Sequence, residues 1–203
     1  MLSTFFKNKP QLAKNVKLYL GENVTFGKNV IIQGFKNIPC ECHIDSNCRI
    51  GDNVRIIVSP LVLIGCDNVI HNNVSIVGSA TFRIGMLNWL GQEAYIDTTG
   101  GLTIGNSNTL GIRSMIWSHM IRPASTYKYT RNPTPQVDNA KLTKIGNYCW
   151  TSPGSQVCPG IIVADKTILL NGAVLTKNTE YGKTYAGIPA KEIIIPKWEN
   201  NSH

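Results

Sequence analysis

IGDNVRIIVSPLVLIGCDNVIHNNVSIVGSATFRIGMLNWLGQEAYIDTTGGLTIGNSNTLGIRSMI, residues 50 to 116, decides the fold. Its branched apolar residues Ile50, Ile56, Ile64, Ile70, Ile76, Ile84, Leu90, Ile96, Ile104, Leu110 and Ile116 stand six apart, with three steps of eight. Ile44, Ile64, Ile84 and Ile104 therefore recur every twenty residues. Upstream the six-residue rule runs through Leu20, Phe26, Ile32 and Ile38 to Ile44; after a break it returns at Ile145, Thr151, Val157, Val163, Leu169 and Leu175. An amphipathic helix would repeat at about 3.6 residues and a half-buried strand at about 2. Six residues per apolar position fits a short strand plus a corner, stacked coil on coil.

Three such sides make a triangular coil of eighteen residues, and the twenty-residue coils carry two extra at a corner. Gly, Asp and Asn follow many of the apolar positions, as in Ile50-Gly51-Asp52-Asn53, Ile104-Gly105-Asn106 and Ile145-Gly146-Asn147. These residue types accept turn conformations that others resist, so they mark the corners. A single coil cannot bury its own apolar face, so stability comes from stacking on neighbours, and both ends need caps. Residues 1–19 are the expected N-terminal cap, 20–191 the β-helix, and 192–203 a C-terminal tail. The period does not reveal the handedness.

The bulk numbers agree with one ordinary domain: 203 residues, 42% hydrophobic and 16% charged. No apolar run reaches the roughly 20 residues of a membrane span, and the first residues lack the pattern of a signal peptide. The cytoplasm is the expected compartment, with peripheral contact at an inner membrane left open. Six cysteines without an export signal read as reduced and buried, with no disulfides expected. Cys40, Cys42 and His43 suggest zinc only superficially, because a C-x-C pair has no second ligand pair at finger spacing; no metal is expected. The formal charge of +8 favours anionic partners, though dispersed basic residues without a known motif argue against nucleic acid.

The rule fails between Ile121 and Lys144, where the sequence carries three prolines, two tyrosines and several basic groups. A long loop in a compact solenoid, here about 120–144, is commonly functional. It follows His119, in Ile116-Trp117-Ser118-His119. Histidine is the usual general base near neutral pH, although a lone His at the edge of a repeat also reads as a polar corner residue. His43 and His71 lie inside regular coils, and no histidine pair has metal-ligand spacing. Cys149 or Cys158 could in principle attack a thioester, but no basic partner for either is visible, and Cys149 falls on a small-residue position of the repeat.

From Tyr95 onward the motifs stand in a familiar order: I-D-T-T-G-G-L-T-I-G-N, I-W-S-H, the loop, K-I-G-N-Y-C-W, P-G, A-V-L-T-K-N and A-G-I-P-A-K. In this half the chain closely resembles the hexapeptide-repeat acetyltransferases, which include maltose, galactoside and bacterial polysaccharide O-acetyltransferases. Roughly the first ninety residues match through the repeat alone.

The resemblance implies an all-β, left-handed parallel β-helix, a homotrimer with active sites between subunits, and acetyl-CoA as co-substrate. It implies His119 as the base that takes a proton from the acceptor hydroxyl, with Asp97, Asn88 and Trp150 at the acceptor. It places acetyl-CoA on Trp150, Pro153, Asn171, Gly172, Thr176, Lys177 and Lys191. Asp97 also reads as a turn residue, Trp150 as an outward apolar residue, and the two lysines as solvated surface. Met120 and Ile121 stand where many relatives have His or Pro, and W-T-S-P departs from the usual glycine. These departures and the enlarged loop bear on the acceptor, for which a surface polysaccharide or its precursor is expected. An amino-sugar N-acetyltransferase, an antibiotic acetyltransferase and a non-catalytic glycan-binding β-helix are the alternatives.

Overall fold

The computed structural model describes residues 8–121, 137–138 and 140–194. The chain winds as a three-sided parallel β-solenoid of about eight turns. Face A runs through Gln11–Leu12, Ile31–Gln33, Arg55–Val58, Ser75–Gly78, Tyr95–Asp97, Met115–Ile116, Gln156–Val157 and Val174–Leu175. Face B contains Val16–Leu20, Cys40–Ile44, Leu61–Ile64, Phe82–Ile84, Leu102–Ile104, Thr143–Ile145 and Ile162–Val163. Face C contains Thr25–Phe26, Arg49–Ile50, Val69–Ile70, Trp89–Leu90, Thr109–Leu110, Trp150–Thr151, Ile168–Leu169, Thr184–Ala186 and Lys191–Ile193.

Register follows from the repeat. Ile56, Ile76, Ile96, Ile116, Val157 and Leu175 pair in succession up face A, so equivalent positions of successive coils lie one above the other. Each is essentially fully buried, and the ladder fills the prism with β-branched side chains suited to pleated strands. At the corner between faces B and C, Asn23, Asn47, Asp67, Leu87, Ser107, Tyr148 and Lys166 all have φ between 56° and 60°. The corner repeats this left-handed turn on every coil; asparagine accepts it readily, whereas Leu87 and Tyr148 are held there by the coils above and below.

Three expectations about the repeat are corrected. Ile38 is 47% exposed, not a rung of the ladder. Leu20 pairs with Ile44, and Ile32 with Ile56, so this coil has 24 residues. Its six extra residues leave the prism at the corner between faces A and B, where Phe35–Asn37 forms a 3-10 turn. Because the excursion equals one repeat unit, the count by six stays in phase across it. Leu20 itself is 39% exposed at the open end. The solenoid also starts earlier than expected: Gln11–Leu12 and Val16–Leu20, inside the segment assigned to the cap, pair with the next coil. At the other end Thr184–Ala186 and Lys191–Ile193 pair antiparallel and finish face C.

Every departure from the six-residue rule falls at the corner between faces A and B: residues 34–39, the two-residue insertions before Ile64, Ile84 and Ile104, and the long loop. Cys40 and Cys42 point into the core, whereas His43 stands outside, stacked on Tyr19 at 4.4 Å. These three potential metal donors therefore face opposite sides of one strand. Among the described residues no helix is long and apolar enough to cross a membrane.

Candidate active site

The corner between faces A and B carries His119. Tyr95–Asp97 ends one coil's face A and Met115–Ile116 the next, and their pairing puts Asp97 level with Trp117. The chain then bends back at Ser118-His119, so the imidazole lies over the carboxylate of the coil below. His119 Nδ1 stands 2.8 Å from Asp97 Oδ2. Ser118 donates to the same oxygen through both its amide and its hydroxyl at 2.7 Å. Thr99 donates to Oδ1 through its amide at 3.1 Å and its hydroxyl at 2.7 Å.

Asp97 is a fully engaged carboxylate, its side chain only 2% exposed. Burial pushes its pKa up, but the bonds from His119, Ser118 and Thr99 outweigh that and hold the group below its ordinary value. A proton on Nδ1, facing the carboxylate, would leave Nε2 with a lone pair. The His119 side chain is 19% exposed. That accessibility suits a base meeting a hydroxyl, with the ring held by a charge beneath it.

The root of the loop is pinned to the same corner. Lys141 donates its amide to Ser118 O at 2.8 Å, and the Thr143 hydroxyl bonds Trp117 O at 2.7 Å. Met120 and Ile121 pair antiparallel with Asp138 and Val137. Of the loop expected at 120–144, residues 122–136 and 139 lie outside the described residues. Gly100 lets the corner close: a Cβ there would run into Ser118 O and Lys141 N, while its own amide bonds Ser118 Oγ at 2.9 Å.

The other expected site residues divide between two regions. Cys158 and Thr176 continue the column above Trp117, with Trp117 N bonded to Val157 O and Cys158 N to Leu175 O. Thr176 and Lys177 are exposed on the His119 corner, two coils above it. Trp150, 49% exposed, instead projects from face C. Pro153 and Gly172 stack at the corner between faces C and A, Gly172 N bonding Pro153 O at 3.1 Å, with Asn171 beside them. Lys191 is exposed in the terminal hairpin of face C.

Asn88 is corrected. It is 1% exposed at the corner between faces B and C, in a ladder with Asn68 below and Asn108 above. Its amide nitrogen donates to Asn68 Oδ1 at 3.0 Å and to Met86 O at 3.1 Å, and its oxygen accepts from Asn108 N and Nδ2 at 2.9 Å. Nothing of that side chain remains for a ligand. Asp97 likewise is covered by its own partners, Thr99, Ser118 and His119.

Ser118 and Thr99 escaped the sequence reading. Their signal was adjacency, since each neighbours a residue already singled out, and Asp-x-Thr is a local pattern in which the threonine caps the carboxylate. Cys149 is buried, its thiol bonded to Ala164 O at 3.2 Å and pushed up in pKa chiefly by burial. Burial raises the Cys158 thiol as well. Neither has the depressed pKa of an activated nucleophile.

No family model matches the chain. Over 127 residues it is 28% identical to WcaF of Escherichia coli K12, named as a colanic acid biosynthesis acetyltransferase, and equally to WcaF of Shigella flexneri. Each alignment covers 63% of this chain and 65% of the relative, so somewhat less than two thirds of the relatives' length is spanned. The fold is similar to that of the N-acyltransferase AntD from Bacillus cereus, with a TM-score of 0.57 at 12% identity over 86% of this chain and 81% of that one. It is similar also to the polysialic acid O-acetyltransferase OatWY, at 0.54 and 20% over 91% and 86%. In its six-residue repeat and its three-sided parallel solenoid the chain is similar to these acetyltransferases.

Proposed function

We propose that the chain transfers the acetyl group of acetyl-CoA to a hydroxyl of a sugar in a bacterial surface polysaccharide or its precursor, in the cytoplasm. The contact of His119 Nδ1 with the buried Asp97 carboxylate carries this reading. Nε2 takes the acceptor proton as the hydroxyl oxygen bonds to the thioester carbonyl carbon. The tetrahedral adduct then collapses, the carbon–sulfur bond breaks, and the leaving thiolate recovers the proton from the imidazolium. Asp97 stabilises the transient cation without itself taking the proton. Thr176 and Lys177, above His119 on the same corner, suit the thioester arm and its phosphates.

The division of the expected residues supports a homotrimer. His119, Thr176 and Lys177 lie on one corner, whereas Trp150, Pro153, Asn171 and Gly172 lie on face C and the corner beyond. A cleft between two copies would bring both groups to one acetyl-CoA. WcaF is named for a polysaccharide pathway, and the basic charge of the chain suits an anionic glycan. The deciding experiment follows free-thiol release from acetyl-CoA against a panel of sugars and polysaccharides, for wild type and His119→Ala. Acceptor-dependent release lost in the variant supports the reading; release unchanged in the variant overturns it. Lability of the product to mild alkali separates an ester from the amide of an amino-sugar acetyltransferase.

A further inference from the structure

Outside the His119 corner, the outer surface of face C bears a second constellation. Arg49, Val69, Trp89, Thr109 and Trp150 occupy one outward column, each paired with the next on successive coils. Arg49, Val69, His71 and Trp89 line a cleft of about 390 Å³, a volume in the small-ligand range. The Trp89 and His71 rings lie 4.7 Å apart and tilted by 56°. Trp89 is half-buried, and Arg49 is exposed beside it.

We propose that this column binds sugar units of an extended carbohydrate chain, leading away from the reacting hydroxyl toward the N-terminal coils. The inference rests on the reading of the chain as a glycan acetyltransferase. Two indoles stand two coils apart, roughly 10 Å from strand spacing, with only the small Thr109 between them. The column thus carries an accessible indole at each end of this span, and the C–H face of a sugar ring packs against the negative face of an indole. Arg49 offers several N–H donors to hydroxyls or to a carboxylate, and the +8 charge of the chain favours an acidic glycan. The column continues to Trp150, so a chain held at Trp89 extends from the proposed transfer site.

The test measures binding of three polymers, namely colanic acid stripped of its esters, oligosialic acid and dextran, to wild type, Trp89→Ala and Arg49→Gln. Sedimentation and acetyl-CoA affinity are followed in parallel. The expected result is that at least one acidic polymer binds wild type, that Trp89→Ala weakens it about tenfold or more, and that Arg49→Gln weakens acidic polymers more than dextran. Acetyl-CoA affinity and assembly should be unchanged. Polymer affinity indifferent to both substitutions, or no polymer bound by a protein that does acetylate a small sugar, overturns the proposal and leaves acetyl transfer standing. A changed oligomeric state in Trp89→Ala identifies the face as a contact between copies, which also overturns it. Polymer binding lost in Trp89→Ala, in a protein that does not bind acetyl-CoA, upholds the glycan track and sinks the transferase reading.

Discussion

Asp97 accepts contacts from Thr99, Ser118 and His119 on its two oxygens, so its removal should be felt in both chemistry and stability. His119→Ala should leave the fold intact and lower kcat by about 10²–10⁴, the worth of a positioned base, as measured by thiol release. Asp97→Asn should lower kcat with little change in the KM for acetyl-CoA, because it acts through the orientation and charge of the ring. Acidity gives an independent check. The native carboxyl titrates below its unfolded value, so its stabilisation is fully present above about pH 4 and is lost as pH falls through the lower, folded value. Thermal midpoints of wild type should therefore fall more steeply in that acid range than those of Asp97→Asn; parallel slopes would rule out an ionised, bonded Asp97.

The corners show what a single element demands. At Gly105 an added Cβ would lie 2.6 Å from both Asn147 Oδ1 and Gly146 O on the coil above. At Gly154 it would meet nothing within 4 Å, although φ is +68°. Gly105→Ala should accordingly cost more thermal stability than Gly154→Ala, whose penalty is the roughly 1–2 kcal/mol of a left-handed non-glycine residue. Asn88→Ala should destabilise by about 1–3 kcal/mol, because it strands the buried Asn68 and Asn108 groups. It should leave the KM of any acceptor unchanged; a raised KM without loss of stability would return Asn88 to the site.

The same elements show what a sequence can carry. The ladder and its corners were legible because apolar period and turn chemistry are local. Ile38 misled because a six-residue excursion is invisible to a count by six. Asn88 misled because its neighbours in space lie twenty residues away on each side, which only the register reveals. His119 stood out by its place before the loop, but its contact with Asp97 follows from the coil length and the two-residue insertion at their shared corner. The column of Arg49, Val69, Trp89 and Thr109 at steps of twenty is equally visible in the sequence, as the outward counterpart of the inward ladder.

At the scale of the whole molecule, the repeat makes the prism nearly one-dimensional, and chemistry that needs two of its sides at once needs two copies. Trp150 projects from face C and His119 sits at the opposite corner, so if both serve one cleft, as proposed, that cleft draws one from each of two neighbouring chains. In a closed ring of three, every contact is head-to-tail and each chain gives its His119 to one cleft and its Trp150 to the other. His119→Ala and Trp150→Ala should each form a trimer of low activity. Unfolded together at equal amounts and refolded, they should regain about a quarter of wild-type turnover, the fraction of clefts that draw an intact His119 from one chain and an intact Trp150 from the next. Mixing the folded variants without exchange should regain nothing. Sedimentation identifies the trimer and thiol release reads the turnover; no recovery after refolding, with trimers formed, would mean that one chain supplies the whole site or that Trp150 lies outside it.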